Sequence, residues 1–228
     1  MHIVLKDVKY PPGIKQSWVQ GVSMSNRRMA ASPLYHQRMQ HLIILAHPSP
    51  HSFSHQLKDA LVAHSLTRGW QPVVRDLYAM GFDPVLSGND LAGFKSGQTP
   101  PDIATEQQLV AASGIITLLY PLWWAGFPAI LKGYIDRVFA YGFAYKAGAN
   151  GIEGLLGGKR VVIFTTMGNA LEPYEAKNLV EAFRHTMGHE IFTFCGMTVA
   201  DHRFFPQMTD TGGSDKTDLV EMALRSYE

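Results

Sequence analysis

Hydrophobic and polar positions change their rhythm near residue 40. Residues 1–40, with Pro11-Pro12-Gly13 and Arg27-Arg28, show no sustained period of 2 or 3.6 and are expected to form an extension outside the core fold. From residue 41 on, short apolar runs alternate with helical periods. Leu42–Ala46 suits a strand covered on both faces, and Phe53, Leu57, Ala60 and Leu61 recur at helical spacing up to Gly69. Val73–Leu77 predicts a second strand, residues 81–101 a loop, and Asp102 the cap of a helix bearing Ile103, Leu109 and Val110. Ile115–Leu119 predicts a third strand. Pro128 opens a helix striped by Ile130, Leu131, Tyr134, Ile135, Val138 and Phe139. Arg160–Thr165 predicts a fourth strand, Pro173 opens a helix carrying Leu179, Val180, Phe183 and Met187, and Ile191–Phe194 predicts a fifth strand. Leu219, Val220, Met222 and Ala223 suggest a closing helix. Strands alternating with helices predict an α/β fold: a doubly wound, five-stranded parallel sheet with helices on both faces over 41–228.

Composition narrows the function classes. The 228 residues carry a net charge of +1 and only 17% charged side chains, so nothing draws in nucleic acid or an anionic membrane. The single cysteine, Cys195, allows no internal disulfide, and the N-terminus lacks the pattern of a signal peptide; the expected compartment is the cytoplasm. Gly114–Leu131 is uncharged, but Pro121, Gly126 and Pro128 interrupt it, so it reads as strand, turn and helix start and not as a membrane span.

Ligands of such sheets bind outside the carboxyl ends of the strands, which directs attention to three loops. After the first strand, His47–His55 enters a helix N-terminus with Ser52 and Ser54 as hydroxyl donors, either a phosphate site or a plain cap. It carries no GxGxxG. His47, His51 and His55 are spaced by four, but Pro48 and Pro50 forbid a regular helix across the first two, and no metal site is expected. After the third strand, Tyr120–Pro128 holds two tryptophans that either pack under the loop or wall a flat ligand. After the fourth, Thr165–Asn169 offers small residues whose N–H groups can approach a heterocycle. Gly154–Arg160 resembles a phosphate loop only superficially, and no G-x-S-x-G elbow occurs.

These loops resemble those of the flavodoxin-like NAD(P)H:quinone oxidoreductases. That group includes the vertebrate FAD-containing quinone reductases, the modulator-of-drug-activity reductases and the FMN-containing ancillary subunits of potassium-efflux systems. The likeness runs through Leu42–Ser54, Gly69–Met80, Pro101–Gln107, Tyr120–Tyr145, Val161–Gly168 and Phe194-Cys195-Gly196, and is most specific in Pro121–Gly133. It implies a flavin phosphate turn at His47, Ser52, Phe53 and Ser54. Pro121, Leu122, Trp123, Trp124 and Ala125 would flank the isoalloxazine, and Thr165, Thr166, Met167 and Gly168 would form the second ring loop, whose amides stabilise the reduced ring. It also implies a substrate slot lined by Tyr145 across a dimer interface, and Tyr174 in the place of a tyrosine that stabilises reduced flavin. Tyr174, Tyr145 and Gly168 are therefore the expected catalytic positions. The pattern departs where Met167-Gly168 replaces a Gly-Gly pair, which would narrow the pocket, where Val180 falls near a histidine position, and where Ala147 replaces a second slot tyrosine.

The resemblance implies ping-pong, two-electron reduction of a quinone by NAD(P)H on bound FAD, with FMN the alternative flavin, in a homodimer. The rival implication is a flavin-bearing regulatory subunit of a membrane cation-efflux system. A one-electron flavodoxin carrier fits less well, because such carriers are strongly acidic.

Overall fold

A computed structural model describes residues 38–208 and 216–228; residues 1–37, most of the expected extension, and 209–215 lie outside it. Seven strands occur among the described residues: β1 (Gln40–Leu45), β2 (Gln71–Asp76), β3 (Ser113–Pro121), β4 (Tyr145–Gly148), β5 (Gly151–Gly154), β6 (Arg160–Thr166) and β7 (Thr198–Phe205). Five of them form one all-parallel sheet in the order β2-β1-β3-β6-β7, and β4 and β5 pair separately as an antiparallel hairpin. The order reverses direction between β1 and β3, and that switch point leaves a crevice beyond their carboxyl ends.

A parallel sheet must be covered on both faces, and alternation along the strands assigns the cover. Leu42, Ile44, Ile116, Leu118, Val161 and Ile163 point to one face, under α3 (Pro101–Ala112), α4 (Ala129–Val138) and α6 (Leu179–Phe183). Ile43, Leu45, Ile115, Leu119, Val162 and Phe164 point to the other, under α1 (Phe53–Thr67) and α8 (Thr217–Leu224). The outer strands are less apolar: β2 carries Pro72, and β7 carries Asp201 and Arg203, which pair with each other and with Ser226.

Four expectations are corrected. Ile191–Phe194 is not a strand but lies in α7 (Glu190–Phe194), and the fifth strand is β7. The residues 81–101 are not all loop: Ser87 and Asp90 form a reciprocal capping box that starts α2 (Gly88–Ser96). Asp102 does not cap α3, which begins at Pro101; its carboxylate meets Arg137 at 2.9 Å. The helix expected from Pro173 is broken into α5 (Glu172–Glu175), α6 and a π-helical turn (Arg184–His189) that runs into α7.

One chain of polar side chains inside the fold is paired directionally. Ser65 donates to the Leu61 carbonyl, so its oxygen accepts from His41 Nδ1 at 2.7 Å. His41 Nε2 then accepts from Thr117, 2.7 Å away, and Thr117 accepts from the Tyr227 hydroxyl at 2.6 Å. This chain needs a neutral imidazole, and burial, with His64 nearby, lowers the His41 pKa to about 4. His202 on β7 is lowered to about 4 as well, by burial and then by Arg184, with Asp201 opposing.

Both native pKa values lie below the unfolded value of 6.5, so between these limits the unfolded chain binds protons that the native state excludes. Stability should be full above about pH 6.5 and fall as pH drops towards 4, by on the order of 2 kcal/mol per histidine at pH 5. Urea denaturation from pH 7 to 4.5 checks this; a flat midpoint would rule out neutral, buried histidines.

Candidate active site

The first loop is built by the start of α1. Ser52 is its N-cap, its oxygen facing the His55 amide at 3.4 Å and His55 Nδ1 at 3.0 Å. His55 Nε2 reaches Asp76, at the end of β2, at 3.2 Å. His47 Nδ1 accepts from the Ser49 amide at 3.1 Å, which leaves the ring proton of a neutral imidazole on Nε2. Ser54 lies in the first turn of α1. Its hydroxyl is buried and has no hydrogen-bond partner among the described residues, an orphan group beside the positive end of a 15-residue helix. The Lys216 ammonium stands 5.5 Å from the Phe53 ring. Phe53 itself is buried against Phe205, so it contributes packing here and not an exposed ring.

The second loop is a tight turn. Trp123 and Gly126 exchange both backbone hydrogen bonds, at 3.1 and 2.9 Å, and the two central residues, Trp124 and Ala125, have φ of 51° and 55°. Two left-handed residues are what a type I′ turn requires, and glycine or asparagine would take that conformation with less strain; here it costs on the order of 1–2 kcal/mol per residue. Neither indole is packed away: Trp123 is 41% exposed and Trp124 fully exposed. The His47 and Trp123 rings lie 6.3 Å apart, so the first two loops meet.

The third loop continues from β6. Thr165 is buried with its hydroxyl 3.0 Å from His202 Nε2, and the Thr166 carbonyl accepts from the Leu122 amide at 2.7 Å, tying this loop to the tryptophan turn. The Met167 side chain is buried, and its amide donates to the Phe205 carbonyl at 2.8 Å. That amide is therefore committed to the sheet, and donors towards a ring must come from beyond it. At Gly168 a Cβ would meet nothing within 4 Å, so this backbone is open to close approach.

Leu122, Trp123, Trp124, Ala125, Asn169 and Tyr174 line one cleft of about 500 Å³. Asn169 Nδ2 faces the Tyr174 hydroxyl at 3.4 Å across it. Tyr145 is not brought there. It lies in a larger apolar groove of about 920 Å³ with Tyr141, Phe139 and Phe194, and packs edge-on against Phe194. His47, His51 and His55 form no potential metal-ligand cluster among the described residues. Sequence reasoning weighed His55 only as a metal ligand and passed over Asp76 and His202, whose partners are distant along the chain; Asn169 was marked only as part of the third loop and not for its side chain. An unpartnered hydroxyl at a helix N-terminus, an open glycine backbone and an aromatic cleft beside them fit a phosphate-bearing ligand with a flat ring.

Comparison with known proteins agrees with this arrangement. Residues 39–228 match the family model described as the flavodoxin-like fold. The chain is 37% identical over 191 residues to an "Uncharacterized NAD(P)H oxidoreductase" of Haemophilus influenzae, covering 83% of this chain and 95% of that one. It is 35% identical over 207 residues to NAD(P)H dehydrogenase [quinone] 1 of Cavia porcellus, covering 82% and 74%. Among solved structures, the NAD(P)H:quinone oxidoreductase of Methanothermobacter marburgensis superposes with a TM-score of 0.69 at 27% identity, covering 83% of this chain and 97% of that one. With the 2-1-3 strand order and three loops converging at the switch point, these matches make the chain a member of the flavodoxin-like NAD(P)H:quinone oxidoreductase family.

Proposed function

We propose that the protein is a flavin-dependent NAD(P)H:quinone oxidoreductase working by a ping-pong cycle, with FAD as its flavin. The observation that carries this reading is the convergence of the orphan Ser54 hydroxyl, the exposed Trp123–Trp124 turn and Tyr174 at one sheet edge. FAD is favoured over FMN by the likeness to the vertebrate quinone reductases. A bound flavin supplies the redox chemistry, accepting a hydride from NAD(P)H and returning two electrons to the quinone.

The chain's own residues do the rest. Ser52, Ser54 and the α1 amides bind phosphate oxygens, with the His47 Nε2 proton and the helix dipole adding positive potential. Leu122–Ala125 wall the ring. The backbone from Gly168 onward and the Tyr174 hydroxyl place donors where negative charge develops; fixed dipoles in such a position lower a barrier without reorganising. The cleft accepts nicotinamide and quinone in turn.

Tyr145 reaches such a slot only from a second copy, since within one chain it faces the other groove. We propose a homodimer in which that apolar groove lies at the interface and each copy completes its partner's slot. No helix of the described residues is long and apolar enough to cross a membrane, which suits a dissolved electron donor.

The first test is the absorbance of the purified protein. A flavin band should bleach with NAD(P)H and return with benzoquinone, and chromatography of the released cofactor should give FAD; a chain that takes up neither flavin on reconstitution ends the reading. Trp124→Ala should weaken flavin retention by roughly tenfold, about the 1.4 kcal/mol of one aromatic contact. Unchanged flavin occupancy and turnover would remove Trp124 from the site. Light scattering should give twice the chain mass, and a monomer with full activity would refute the shared slot.

A further inference from the structure

We propose that His185, His189 and Glu190 form a binding site for one zinc-class divalent ion, away from the redox cleft. Sequence spacing drew attention to the histidines at 47, 51 and 55 and not to this pair. Here the backbone brings the ligands together. Arg184–His189 is a π-helical turn, with i→i+5 hydrogen bonding in place of i→i+4. In an α-helix, residue i+5 lies roughly 140° around the axis from residue i. The wider turn swings both the fourth and the fifth residue back over the first, so Glu190 joins His189 above His185.

The distances suit a shared ion. His185 Nδ1 and His189 Nδ1 stand 3.6 and 3.5 Å from the same oxygen, Glu190 Oε1. The ring centroids are 5.5 Å apart, and one donor atom from each of the three residues falls within a 4.8 Å cluster. Two ligands at the usual 2.0–2.1 Å from a tetrahedral zinc are separated by about 3.3 Å, so little movement is needed to close on one ion. Two imidazoles and one carboxylate select zinc, copper(II), nickel or cobalt over calcium or magnesium, which need more oxygen ligands. All three side chains are exposed, leaving the remaining coordination positions to water.

The inner side of the turn holds the outer side in place. Met187 and Gly188 are buried, and a Cβ at Gly188 would come within 3.0 Å of His202 Nδ1 and 3.3 Å of Ile163 Cδ1. A side chain there would press on His202 and Ile163, so glycine eases the close approach of the turn to β6 and β7. Arg184 fixes its start by donating to the His202 carbonyl at 3.3 Å and pairing with Glu181. The ion would sit at the rim of the apolar groove, which Glu190 and Ile191 also line.

The test is calorimetric titration of the chelator-treated full chain with Zn²⁺, together with cobalt(II) absorbance. One ion per chain is expected, with a visible cobalt band of low-symmetry coordination. His185→Ala and His189→Ala should each weaken binding roughly tenfold or more, and the double variant should abolish both the heat and the band. These side chains are exposed, so the variants should melt like the parent when no metal is present. Binding that survives in the double variant would place the ion elsewhere, and a parent chain that binds none would overturn the site. Neither result bears on the flavin spectrum, which tests the redox reading separately.

Discussion

An all-parallel sheet cannot leave a face to water, and most of this molecule follows from meeting that requirement. Each strand end must be followed by a crossover that lays a helix on one face or the other. The crossovers return the chain in the same direction every time, so the loops after β1, β3 and β6 all emerge at one edge. Three segments spread over more than a hundred residues of chain thereby meet: Ser52–Ser54, Trp123–Ala125 and Gly168–Tyr174. The candidate site lies where the direction of winding reverses, because there neighbouring crossovers part and leave a gap.

Buried elements were legible and exposed ones were not. Leu42–Ala46, Ile115–Leu119 and Val161–Thr165 announce themselves because a strand covered on both faces is apolar throughout. The same rule misleads at Ile191–Phe194, since four apolar residues read alike as a buried strand or a helix turn. The true last strand, β7, lies at the border of the sheet and is interrupted by Asp201, His202 and Arg203, which hides it. The β4–β5 hairpin is small, polar and mostly exposed, with no apolar period to detect. The capping box of α2 was present in Ser87-x-x-Asp90 and could have been read. At the site, the expected strand ends located the loops, and family likeness assigned roles to their residues. The orphan Ser54 hydroxyl, the His55–Asp76 contact and the separation of Tyr145 from the cleft depend on tertiary placement.

Strain and close packing gather near the same edge. The Trp123–Gly126 turn holds two left-handed residues that have side chains, and it is secured by the Leu122–Thr166 bond on one flank and by Phe127 against the Tyr120 ring on the other. One strand away, Thr165 rests on His202, and His202 rests under Gly188. A small residue in the π turn and a neutral histidine thus support a loop of the cleft from behind, which explains why so polar a group is kept inside the fold.

The composition of the two outer strands has a consequence for assembly. Pro72 removes a ladder donor from β2, and the Asp201–Arg203–Ser226 cluster puts charge along β7. Neither border offers a second chain an unbroken, apolar row of amides and carbonyls to extend, so the sheet is guarded against growing by added strands. Self-association is thereby steered away from backbone augmentation, a route that leads as easily to fibres as to dimers, and towards side-chain contacts on the helical surface, where shape can limit it to a closed pair.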